Sequence, residues 1–237
     1  MAQITAHALA YHAAGQRERS PFGRGRVPPA AEVVRILDGS PRVLMALNEE
    51  LRKAAGEGQL DKMMAMLGLG ARANAPDSHG KTPLMHAVAN LCWNATTILI
   101  SKGACVNDMD GEGKSPLMMA AENGDTKIIR MLIRNRANVN AADKYDWTAL
   151  MHANRHGSAQ TARALIDNGA DVNVMGGGMT ALMIAAADGN IRTARLLLAH
   201  HAKINARNSD GHTALYSAIR EGEHEMAKFL RAHGAKE

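Results

Sequence analysis

The histidines at 152 and 156 stand four residues apart, the spacing at which two imidazoles share one face of a helix and can hold a divalent metal. No third ligand is fixed near them. The sequence therefore assigns His152 to a packed interior and His156 to an exposed surface. His200 and His201 close a predicted helix, where a cation at the negative end of the dipole is sufficient explanation. Cys92 lies beside Leu91 and Trp93 with no basic neighbour to favour a thiolate, and with Cys105 it forms neither a disulfide framework nor a metal spacing. "MGGGMTA", starting at Met175, invites comparison with a phosphate-binding loop but reads as a tight turn made permissive by Gly176, Gly177 and Gly178. Arg17, Arg19, Arg24 and Arg26 can each neutralise a phosphate, yet only the single ring of Phe22 lies among them, and the stretch reads as a solvated tail. There is no nucleophile elbow, P-loop, dinucleotide fingerprint or zinc-protease helix. The chain is predicted to have no catalytic residues, no metal and no cofactor, and to be no enzyme.

Composition bounds the rest. Of 237 residues, 46% are hydrophobic and 22% charged, ordinary for a soluble protein, while 15 Met, 22 Gly and only 3% aromatic content point to small helices packed through Ala, Leu and Met. No apolar run approaches the length of a membrane span. The net charge of +5 is uneven: residues 1–48 hold six Arg against three acids, a net of +3, which leaves +2 for the remainder. Two cysteines and no secretory pattern predict a reducing, cytoplasmic setting.

The elements that would position any site come from an internal repeat. "TPLMHA" at 82, "SPLMMA" at 115, "TALMHA" at 148, "TALMIA" at 180 and "TALYSA" at 213 recur at intervals of 33, 33, 32 and 33 residues. A second phase keeps the same period: "GARAN" at 70, "GACVN" at 103, "RANVN" at 136, "GADVN" at 169 and "HAKIN" at 201.

One unit shows the physics. Ser115 caps a helix and Pro116 occupies its first turn, where a missing N–H costs nothing. Leu117, Ala120 and Ala121 give a narrow apolar face, and Gly124 ends the helix in a left-handed cap. Asp125 starts a second helix with Ile128, Ile129, Met131, Leu132 and Ile133 predicted inward and Lys127, Arg130 and Arg134 outward. The unit closes with "ANVN" and a D-x-x-G turn. An earlier helix from Ser40 and Pro41 through Leu44, Leu47 and Leu51 starts the series.

These units resemble the ankyrin repeat, a β-turn followed by two antiparallel helices. The resemblance covers residues 49–237 and implies an all-α ankyrin-repeat solenoid of about six repeats including caps. A helical N-terminal extension at 29–48 and a flexible basic tail at 1–28 precede it. One departure is systematic: the family's histidine after the turn is replaced by Met85, Met118, Met151 and Met183, which trades a polar tie for packing.

The resemblance also implies function. Family members bind other proteins through their turns, which project as fingers, and through the first helices beside them. Mapped onto this chain, the candidate partner-binding residues are His79 and Lys81, Glu112 and Lys114, Lys144, Tyr145 and Trp147, Met179 and His212 on the fingers, with Arg155 and His156 on the adjoining helix. Asp146 stands where other fingers have a left-handed glycine. The expectation is a monomeric, non-catalytic adaptor that docks another protein, with no membrane span and no nucleic acid. The alternative reading is a nucleic-acid-associated regulator acting through the arginine-rich tail.

Overall fold

The computed structural model describes residues 41–155 and 157–236. The tail expected at 1–28, most of the extension expected at 29–48, and His156 lie outside the described residues. Twelve helices and one two-stranded hairpin are found among those residues. The chain divides into two units between Cys105 and Val106.

The described part of the N-terminal unit is two helical hairpins. Helix α1 (Pro41–Glu57) turns through Gly58 into α2 (Leu60–Gly68), and α3 (Pro83–Ala89) turns through Leu91 into α4 (Trp93–Ser101). Helix α1 runs unbroken across position 49, so the first hairpin includes residues on both sides of that boundary. Its core is Leu47, Leu51, Met63, Met66, Leu84, Met85 and Leu99, with alanines letting α1 and α3 approach.

The C-terminal unit repeats the hairpin four times: α5 (Pro116–Glu122) with α6 (Thr126–Arg134), α7 (Ala149–Arg155) with α8 (Ala159–Ile166), α9 (Ala181–Ala187) with α10 (Ile191–Ala199), and α11 (Ala214–Arg220) with α12 (His224–Ala232). The first helices α5, α7, α9 and α11 pack in one layer, and α6, α8 and α10 in a second. First helices of seven residues are too short to persist alone, so burial against neighbours sustains them. In α5 Pro116, Leu117, Met118, Met119, Ala120 and Ala121 are all buried. In α6 only Ile128, Ile129 and Leu132 are fully buried; Met131 and Ile133 are half-exposed, because an apolar residue type signals burial but not its depth.

The caps form as the residue types dictate. Thr82, Ser115 and Thr180 each accept a hydrogen bond from the N–H three residues on, and Asp125, Ser158 and Asn190 cap second helices. The methionine departure has a polar part as well as packing: Sδ of Met85, Met118 and Met183 accepts the cap residue's own N–H at 3.4 Å.

The "ANVN" phase closes repeats together. Asn140 Nδ2 donates to Gly169 O (2.9 Å) and its Oδ1 accepts from Asp171 N (2.8 Å). Asn107 makes the same pair with Arg136 O and Asn138 N, Asn173 with His201 O and Lys203 N, Asn205 with Gly234 O and Lys236 N, and, in the N-terminal unit, Asn74 with Gly103 O and Cys105 N. One side-chain amide per repeat thus satisfies a carbonyl and an N–H of the next.

Candidate functional site

Each finger is built on one carboxylate or amide. Asp143 Oδ1 accepts from the N–H of Tyr145 (2.9 Å) and of Trp147 (3.0 Å), while Asp143 N donates to Trp147 O (3.0 Å). Asp110 does this for Glu112 and Lys114, Asn208 for Asp210 and His212, and Asp77, in the N-terminal unit, for His79 and Lys81. The sequence reading placed Asp77 and Asp110 only in a D-x-x-G turn and assigned none of these side chains this role. Their signal was the same 33-residue spacing of Asp77, Asp110 and Asp143.

Two fingers carry a further brace. Asp143 Oδ2 lies 2.9 Å from His152 Nε2 on α7, with both side chains buried, and Asp77 Oδ2 lies 2.9 Å from His86 Nε2 on α3. His152 is thus interior, as its type and position predict. Asp77 is partly buried, which favours its neutral form, but the Lys81 and His79 N–H groups and His86 outweigh this and hold its carboxyl below the ordinary value.

The two aromatic residues of the central finger have different surroundings. The Trp147 ring is half-buried, 5.5 Å from the His152 ring at 57°, with the Arg155 guanidinium 5.9 Å from its centroid. Gly177 of the next finger lies against the indole: a Cβ there would sit 2.6 Å from Trp147 Nε1. Tyr145 is 63% exposed, and its hydroxyl donates to Glu112 Oε2 on the preceding finger (3.4 Å). Asp146 between them has φ +60°, occupying the left-handed position as predicted.

The glycine-rich turn forms a hairpin, β1 (Met175–Gly176) and β2 (Met179–Thr180), with Gly177 and Gly178 both at positive φ. That is the geometry of a two-residue primed turn. Gly176 packs against the Asp146 carbonyl so closely that a Cβ would collide with backbone.

The remaining candidates of the C-terminal unit lie on its fingers and on α7. Lys144 is exposed, and its N–H donates to Glu112 O (3.1 Å); Lys114 Nζ pairs with Glu122 (2.8 Å). Met179 is half-exposed on β2 of the hairpin, and the His212 ring stacks on Tyr216 at 3.7 Å and 5°. Arg155 is exposed and lies within electrostatic reach of Asp188. Partial burial raises the Asp188 carboxyl above its ordinary range, Arg155 opposes this, and Glu221 and Glu223 reinforce it. Tyr216 and Ile219 are exposed on α11 and escaped the sequence reading, since their counterparts in earlier repeats are core residues. His79 and Lys81 form the corresponding finger of the N-terminal unit. Among the described residues no group of three or more His, Cys, Asp or Glu converges to hold a metal, and no helix is long and apolar enough to cross a membrane.

A family model described as ankyrin repeats (3 copies) matches residues 94–176 and 175–237. The chain belongs to the ankyrin repeat family. None of the curated proteins compared with it matches. Ankyrin repeats are generally protein–protein interaction modules and typically non-catalytic. In an ankyrin unit the hairpins use their apolar residues internally, which leaves the fingers and the polar edges of the first helices to meet a partner.

Proposed function

We propose that this protein is a non-catalytic adaptor that binds another protein along the finger ridge of its C-terminal unit, with Tyr145 at the centre. The observation that carries this reading is a large aromatic side chain left 63% exposed on a finger whose backbone is fixed by a buried carboxylate. A rigid, exposed Tyr gives a partner contact area at little entropic cost, and such residues dominate interface energetics. Lys144 and Glu112 flank it, and Arg155 beside Trp147 continues the mixed charge, as in a polar rim. Trp147 supports the ridge by linking its finger to the next and contributes its exposed edge.

Affinity capture from native extract with full-length protein tests the reading against Tyr145→Ala, Arg155→Ala and a surface control. The expected result is one or more proteins retained by the wild type and the control but depleted at least about tenfold by Tyr145→Ala, with an unchanged circular dichroism spectrum. Retention indifferent to both ridge substitutions overturns it.

A further inference from the structure

The second-helix layer of the C-terminal unit carries a row of cations that the finger ridge does not use. Counting fifteen residues from the capping Ser or Thr of each repeat reaches Arg130, Arg163, Arg195 and Lys228, and all four are exposed. They occupy one register of α6, α8, α10 and α12. The first three of these helices pack side by side, and the Arg195 guanidinium 5.1 Å from the Phe229 ring places α12 beside α10. Equal register on stacked, equivalent helices puts the four charges on one line at the interaxial pitch, about 10 Å.

Acids answer the cations elsewhere: Lys114 pairs with Glu122 and Arg220 with Glu221. Among the described residues, no carboxylate pairs with Arg130, Arg163 or Arg195, and only Lys228 has one, Glu225 at 2.7 Å. Around Arg130 and Arg195 the sequence is similarly one-sided, whereas Arg163 has Asp167 four residues on and Lys228 has Glu225 three residues before it. Lys127, Arg130, Arg134 and Arg136 fall in the acid-free stretch between Asp125 and Asp143, and Arg192, Arg195, Lys203 and Arg207 in that between Asp188 and Asp210. The row's exposed charges are not needed to bury the hairpins, and an anionic partner laid along Arg130, Arg163 and Arg195 relieves a repulsion that salt otherwise only screens.

The pitch distinguishes the possible partners. Single-stranded nucleic acid needs aromatic platforms between the cations, and the ring of Phe229 is half-buried beneath Arg195 with the His233 ring packed against it. A DNA duplex presents its backbones at alternating groove widths of about 12 and 6 Å, which do not match an even row. A membrane surface has no pitch. An α-helix with a carboxylate at every seventh residue presents charges about 10.5 Å apart on one face, which does match. We propose that the second-helix face of the C-terminal unit binds an acidic helical segment of a partner protein, its regularly spaced Asp or Glu residues lying along Arg130, Arg163, Arg195 and Lys228. This surface is separate from the finger ridge.

Fluorescence anisotropy on the full chain tests it, using a helical peptide of about four heptads with one Glu per heptad. The comparators are an isomeric peptide with the same Glu content irregularly spaced, a short DNA duplex, and phosphatidylserine vesicles. The expected result is that the regular peptide binds at least about tenfold tighter than the isomer and loses at least that factor in the triple variant Arg130→Gln, Arg163→Gln, Arg195→Gln. Exposed Arg→Gln changes leave folding nearly unaltered, which circular dichroism verifies, and Tyr145→Ala leaves this affinity unchanged. Equal binding of the two peptides, no binding of the regular one, or tighter binding of duplex or vesicles overturns the proposal.

Discussion

Asp143 and His152 meet at 2.9 Å with side-chain exposures of only 2% and 7%, and the other oxygen of the same carboxylate holds the N–H groups of Tyr145 and Trp147. One buried group therefore ties the central finger to the first helix of its own repeat. Asp143→Ala leaves two backbone donors and a buried imidazole without their acceptor and is expected to cost about 2 to 4 kcal/mol. Asp143→Asn keeps the amide oxygen in the role Asn208 already plays in the last repeat, so about 1 kcal/mol is expected. Urea denaturation of both variants checks the order; equal costs would show that the His152 brace, altered in both, and not the backbone contacts that Asn keeps, carries the effect.

The three glycines of the hairpin are predicted to differ. An added methyl at Gly176 meets the Asp146 carbonyl, a backbone atom that cannot step aside. At Gly177 it meets the movable Trp147 indole as well as a φ of +56°, and at Gly178 it meets open space with only a φ of +73° to pay. Gly178→Ala is expected to cost about 1 to 2 kcal/mol, Gly177→Ala more, and Gly176→Ala the most. Adding Trp147→Ala to Gly177→Ala relieves the steric part, which a double-mutant cycle in thermal denaturation reads as positive coupling.

The asparagine stitch gives a third prediction. Asn140→Ala removes a donor to Gly169 O and an acceptor from Asp171 N at once, and both bonds are solvent-accessible. The expected loss is about 1 to 2 kcal/mol, with faster amide exchange at Asp171 as the local signature. Unchanged exchange at Asp171 would mean water replaces the side chain fully.

What could be read from the sequence depended on whether the reason for a residue was local. The Ser115 cap, Pro116 in the first turn, Gly124 at positive φ and Asp146 standing in for glycine each follow from one residue's backbone preference, and all are found. The fold class followed because those preferences recur at one period. Asp143 and Asn140 were not assigned because Asp and Asn in a polar turn have many possible local partners, and only coordinates show a bond to His152 nine residues away or to Gly169 in the next repeat. The surroundings of Trp147 depend on Gly177, a contact between fingers that no helix period reports.

Leu91 stands where the other hairpins have Gly58, Gly124, Gly157, Gly189 and Gly222, and it takes the same left-handed conformation at φ +59°. Half of its surface is exposed, so little burial is lost on truncation. Leu91→Gly is expected to stabilise the protein by about 1 kcal/mol, since the backbone strain of a side chain there exceeds glycine's extra unfolded-state entropy. A lowered melting temperature would instead assign Leu91 a packing role.

Asp188 gives the fold a pH-dependent contribution. Partial burial, helped by Glu221 and Glu223, raises its carboxyl above the ordinary 3.8, against the pull of Arg155. An acid that binds its proton more tightly when folded penalises folding once ionised: the penalty is absent below the unfolded pKa and complete above the folded one. Asp188→Asn removes it. The variant is therefore expected to be more stable than wild type near pH 7, with the gap closing as pH falls below about 4. Chemical denaturation at the two pH values measures this directly, and a wild type more stable than Asp188→Asn near neutrality would mean that the attraction to Arg155 outweighs desolvation.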